Sequence, residues 1–187
     1  MINFRAVTLF KIVCTIAPLF ALSQTYELVP EKSSMSWTGY SEVGGYSQSG
    51  SLRAKEGRLE LRQEELQSAT IIVDMKTLEH ENKELKRHLR DEDFFYIKKF
   101  PTAELIYQQK EGDQFVFEIM IRGKKQIISV PVKFQKQAEN LIVAGTIVLD
   151  RTKFDIKYNS SSYFQDLGNY AIKNDFDLDY EFLFRQL

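Results

Sequence analysis

Two histidines, one cysteine and a few clustered carboxylates are all that this sequence of 187 residues offers to a catalyst or a metal ion. His80 and His88 fall on one predicted helix, about 12 Å apart along its axis, which is too far for one ion to be shared. Glu84 and His88 share a helix face and form the better pair, but a solvent-facing helix carries such pairs as ordinary surface residues. Asp175, Asp177, Asp179 and Glu181 alternate along one strand, about 6.7 Å from one to the next. Calcium needs about six or more oxygens wrapped by a loop, so these carboxylates are expected on a solvated outer face. Asp150-Arg151 is expected to form a structural ion pair at a strand end, and Asp91-Glu92-Asp93 the exposed end of the helix. The sequence contains no phosphate-cradling glycine loop, no HExxH and no GxSxG. The expectation is a protein without catalytic residues, metal or other cofactor, and not an enzyme.

The elements that would position any site follow a period of two. From Ile172 to Phe184 the large or apolar residues Ile172, Phe176, Leu178, Tyr180, Phe182 and Phe184 share one parity, broken only by Asn174, while Lys173, Asp175, Asp177, Asp179 and Glu181 lie on the other. A strand with one buried and one wet face reads this way. Met35 and Trp37 follow the same scheme, as do Ala69 to Met75, Ala103 to Tyr107, Phe115 to Ile121, Ile128 to Phe134 and Leu141 to Leu149. With Leu52, Leu59 and Leu61 they make about eight strands, near the number at which a sheet closes into a small barrel. Turns are predicted at Gly44-Gly45, Glu56-Gly57, Glu111-Gly112-Asp113, Gly123-Lys124-Lys125 and Glu139-Asn140. Pro131 cannot donate to a ladder, which places its strand at a seam or a bulge. One segment departs from this pattern: Leu78, Leu85 and Leu89 form a narrow apolar stripe among charged residues, predicting an amphipathic helix over about 78–90 that flanks the sheet.

Residues 1–23 read as a signal peptide, with Arg5 and Lys11 before the apolar run 12–22 and small residues at Ala21 and Ser23. Cleavage after Ser23 is expected, with a single domain over 24–187 and a periplasmic or secreted location. The only cysteine, Cys14, lies within that leader, so the remaining chain has no disulfide and no thiolate metal site. The formal net charge of −1 grows slightly more negative when Arg5 and Lys11 leave. Such a charge offers no basic field for nucleic acid.

The order of short motifs carries a further signal. His88-Leu89-Arg90-Asp91-Glu92-Asp93-Phe94-Phe95, then Lys98-Lys99-Phe100-Pro101-Thr102-Ala103, resembles the helix-to-strand signature of the YceI-like family. Trp37-Thr38-Gly39, Gly50-Ser51-Leu52 and Ile71-Ile72-Val73-Asp74-Met75 resemble its W-x-G, G-x-I and I-x-VDM strands. Ile121-Arg122-Gly123, Val130-Pro131-Val132 and Leu149-Asp150-Arg151-Thr152-Lys153-Phe154-Asp155-Ile156 resemble its later motifs. Departures fall at Gln48, where many members carry His, at Lys124-Lys125 for Val-Thr, at Asp91 for Ser and at Asp155 for Gly.

The resemblance implies a lipocalin-like antiparallel barrel, and a soluble exported carrier or sequestering protein for a polyisoprenoid or similar long apolar lipid. It implies no stable membrane insertion once the leader is cleaved. The inward parity names the candidate lining: Trp37, Leu105, Tyr107, Phe117, Ile119, Phe134, Leu149, Phe176, Leu178 and Tyr180. Periodicity alone does not separate a hollow barrel from a filled one. The second expectation is therefore a structural barrel with a packed core and no ligand, able to form a homodimer through an edge strand near Pro131.

Overall fold

The computed structural model describes residues 23–187, and the predicted leader lies outside them apart from Ser23. The described chain is mainly β, with one α-helix. The strands are β1 (Ser23–Leu28), β2 (Ser34–Ser41), β3 (Ser47–Arg62), β4 (Glu65–Glu79), β5 (Thr102–Glu111), β6 (Gln114–Ile121), β7 (Lys124–Val130), β8 (Lys133–Gln137), β9 (Asn140–Asp150) and β10 (Ile172–Gln186). Every pairing is antiparallel, in the order β7-β6-β5-β4-β3-β1-β10-β9-β8, with β2 also paired to β3 and β10.

There are ten strands rather than about eight. Two staves are broken. β1 and β2 lie end to end between β3 and β10, interrupted by a short 3-10 turn at Pro30–Lys32. β7 and β8 stand at the two ends of the sheet order and are joined only by Pro131-Val132. Proline therefore sits at the seam where the barrel closes, where no ladder donor is required of it.

The predicted turn at Glu56-Gly57 does not exist. β3 runs straight through it, with a register shift between Ala54 and Glu56. A Cβ at Gly57 would lie 2.9 Å from Ile71 Cδ1 and 3.2 Å from Leu28 Cβ, so glycine serves a bulge under close strand contact here. The turn after β6 falls on Arg122-Gly123, with φ of 51° and 70°, and β7 begins at Lys124. Gln63-Glu64 makes a similar turn without glycine, at φ of 51° and 65°.

The helix α1 is shorter than predicted, spanning Lys83–Arg90. Leu78, 1% exposed, belongs to β4 as its last inward residue. Asn82 starts α1 instead, its side-chain oxygen accepting from Glu84 N at 2.9 Å and Leu85 N at 3.1 Å. His80 is therefore outside the helix, and Glu79, at the end of β4, pairs with Lys86 of α1.

Candidate functional site

Strand parity builds the site. On β10, Phe176, Leu178, Phe182 and Phe184 are buried and Tyr180 is half-buried, while Asp175, Asp179 and Glu181 are exposed. Asp177 is half-buried because Tyr40 on β2 donates to it at 2.5 Å, a bond that also pushes the Tyr40 phenol upward. Inward residues from nearly every stave enclose a narrow cavity of about 100 Å³. Its wall is apolar apart from Glu104, and extends from Leu66, Val132 and Phe134 to Trp37, Met75 and Phe95.

Of the predicted lining, Trp37, Leu105, Phe117, Ile119, Phe134, Phe176, Leu178 and Tyr180 face this cavity. Leu149 is buried in packed core, 3% exposed, and does not reach it. Tyr107 also falls outside the wall; it packs on Phe117 and Phe115 with ring centroids 5.7 and 6.3 Å away, and burial pushes its phenol up. Burial does the same to the Tyr180 phenol, which stacks on Phe182 at 5.0 Å. Several wall residues absent from the predicted set, such as Ile71, Met75, Val143 and Phe182, obey the same period and were legible from it. Phe95 was not, since it arrives from the loop after α1 and meets Phe176 at 6.4 Å.

One end of the barrel is closed by α1 and the segments around 91–101 and 151–171. Arg151 ties the last of these segments to the start of β10. Its guanidinium, 3% exposed, donates to three carbonyls: Ile156 at 2.9 Å, Ile172 at 2.9 Å and Lys173 at 3.0 Å. The predicted ion pair with Asp150 is absent, because Asp150 caps the following turn by accepting from Thr152 N at 2.8 Å and Thr152 Oγ1 at 2.6 Å. Asp155 adopts φ of 63°, the left-handed conformation that explains why glycine suits this position.

The histidines do not come together. His88 wedges between Tyr158 and Phe94, at ring distances of 4.3 and 5.7 Å, with Nε2 enclosed and without a hydrogen-bond partner. His80 packs instead on the Trp37 ring at 5.7 Å. Among the described residues, no group of three or more His, Cys, Asp or Glu side chains is placed to hold a metal.

With this geometry in place, the YceI-like domain family model matches residues 26–184. The chain belongs to the YceI-like family. Solved structures share the YceI-like barrel. Burkholderia cenocepacia BcnA has TM-score 0.66 at 16% identity, over 83% of this chain and 98% of that one. A polyisoprenoid binding domain from Saccharophagus degradans, implicated in plant cell wall breakdown, has TM-score 0.66 at 10% identity, over 86% and 97%. The Campylobacter jejuni YceI protein has TM-score 0.51 at 17% identity, over 63% and 71%. At these identities the likeness establishes the fold. Among curated proteins, none matches the chain.

Proposed function

We propose that this YceI-like protein is an exported carrier or sequestering protein that binds a long apolar lipid, of polyisoprenoid type, along the bore of its barrel. The observation that carries the reading is the wall of the bore, apolar over its length with Glu104 as the exception. Such a wall recognises a chain by burial alone: a dozen methylenes at about 0.8 kcal/mol each supply roughly 10 kcal/mol before ordering costs. A binding role also suits the histidine geometry, in which neither ring has a carboxylate partner to make it a base. The Saccharophagus domain, with the same fold, is described as polyisoprenoid binding. Export is supported by the signal-like run 12–22 following Arg5 and Lys11.

The cavity of about 100 Å³ is the specific observation that favours the second reading, a barrel filled by its own side chains. Ligand sites usually exceed about 300 Å³. On the carrier reading, chain entry displaces wall side chains. Met35 and Met75, unbranched and adaptable, are suited to that, as is the half-buried Tyr180.

Native mass spectrometry with lipid extraction, on protein purified from its own host, tests the reading. One apolar lipid per chain is expected. Repeated recovery of ligand-free protein would leave the filled barrel as the better account.

A further inference from the structure

An open polar recess of about 520 Å³ lies at the end of the barrel where β3 begins and β4 ends. Its wall includes Ser47, Gln48, Ser49, Ser51, Glu79 and His80. Trp37 stands between this recess and the apolar bore. Its ring lines the bore, and its Nε1–H, in a residue only 9% exposed, has no hydrogen-bond partner. That N–H faces the inner wall of the recess: a Cβ built on Gly50 would lie 2.7 Å from Nε1 and 2.0 Å from the Glu79 carbonyl oxygen. Glycine is needed there, because any side chain would collide with both groups. An enclosed indole donor left unsatisfied costs free energy unless something supplies an acceptor.

A second donor is fixed beside it. His80 Nδ1 accepts the Asn82 N–H at 2.9 Å, a shorter contact than the 3.4 Å to Asn82 O. With Nδ1 occupied as an acceptor, the neutral ring carries its hydrogen on Nε2. The half-buried imidazole packs against the indole at 5.7 Å, tilted 33° to it, on the side of the recess.

The charge of the recess narrows what it takes. Neither lysine nor arginine contributes to its wall, whereas Glu79 and Glu81 both do. Lys86 reaches Glu79 at 2.7 Å and is engaged there, holding that carboxyl below its ordinary range and so ionised. A phosphate would meet like charge.

We propose that the recess is a head-group site, taking an uncharged oxygen acceptor such as a hydroxyl or carbonyl at the end of the apolar ligand, and rejecting phosphate. The proposal rests on the carrier reading above, with the chain in the bore and the head group passing Trp37.

Three probes of one chain length decide it: a C20 isoprenoid alcohol, the matching diphosphate and the matching hydrocarbon, titrated by calorimetry. Trp37 is the sole tryptophan, so its emission reports the same event directly. The alcohol should bind about tenfold more tightly than either of the others, the worth of one hydrogen bond, and should shift the emission where the hydrocarbon does not. Trp37→Phe keeps an aromatic side chain and deletes the donor, and His80→Ala removes the second one. Each should shrink the margin of alcohol over hydrocarbon, both ligands being titrated into the same variant so that any change in hydrocarbon affinity is read separately; an unchanged margin in both variants overturns the head-group site. Equal binding of alcohol and hydrocarbon to the wild type overturns the head-group site and leaves the carrier standing. Tightest binding by the diphosphate overturns it too. Binding of none of the three overturns the carrier reading itself, and the proposal with it.

Discussion

The bore and the closed end of this barrel are built on different logics. In the bore, a side chain's role is set by its parity: Leu178 faces in and Asp179 faces out because the pleat alternates. Many similar contacts share the work there, and no single residue dominates. At the closed end, the backbone leaves the ladder and a few point contacts replace it. Arg151 answers three carbonyls, Asn82 caps α1, and Tyr96, Asp155, Asn159 and Asp166 take positive φ to redirect the chain. The closed end should fail by single substitutions, whereas the bore should degrade gradually.

The largest expected effect is at Arg151. Arg151→Ala removes the donor from one buried and two part-buried carbonyls, and should cost about 3–4 kcal/mol, read as a lowered urea midpoint. Arg151→Lys should recover little, since one ammonium lacks the planar fork that reaches three acceptors. In the bore, Leu178→Ala should cost about 2–3 kcal/mol, at the lower end for a buried leucine because its side chain already borders free space. If Leu178→Ala proved as costly as Arg151→Ala, the contrast between the two regions would be wrong. Asn82→Ala should cost about 1 kcal/mol by uncapping α1.

The smallest effect is with pH. Hydrogen bonds from Lys86 to Glu79 and from Lys157 to Asp155 hold both exposed carboxyls below their ordinary values in the folded state. Their contribution is therefore present above the ordinary carboxyl range and is lost as pH falls through it. Tm should fall slightly at low salt as pH drops below the ordinary carboxyl range, and the fall should vanish as salt is added.

The same division explains how much could be read from the sequence. The class, most of the strands and most of the bore were legible in the period-two pattern, because a one-residue slip would turn every inward side chain outward. Breaks within staves were not. Glu56-Gly57 has the composition of a turn and serves as a bulge, and Gln63-Glu64 turns the chain without glycine. Leu78 fits a helical stripe as well as it fits the end of β4, and only the Asn82 cap distinguishes the two. Arg151 looked like half of an ion pair because sequence shows charge but not carbonyl direction. Trp37 shares the inward parity of its strand, while the unpaired N–H on its far side depends on Gly50 and Glu79, which only the fold brings there.

The central claim is that an apolar chain enters the bore. Ala103 is buried on the bore wall, and Ala103→Phe fills that space at a stability cost of about 1–3 kcal/mol. Titration of a labelled long-chain isoprenoid into wild type and into Ala103→Phe, both verified as folded, is the direct measurement. Saturable one-to-one binding to the wild type, with loss of at least tenfold in affinity in the filled variant, is the predicted result. Equal binding to both would place the lipid on the outer surface and contradict the account.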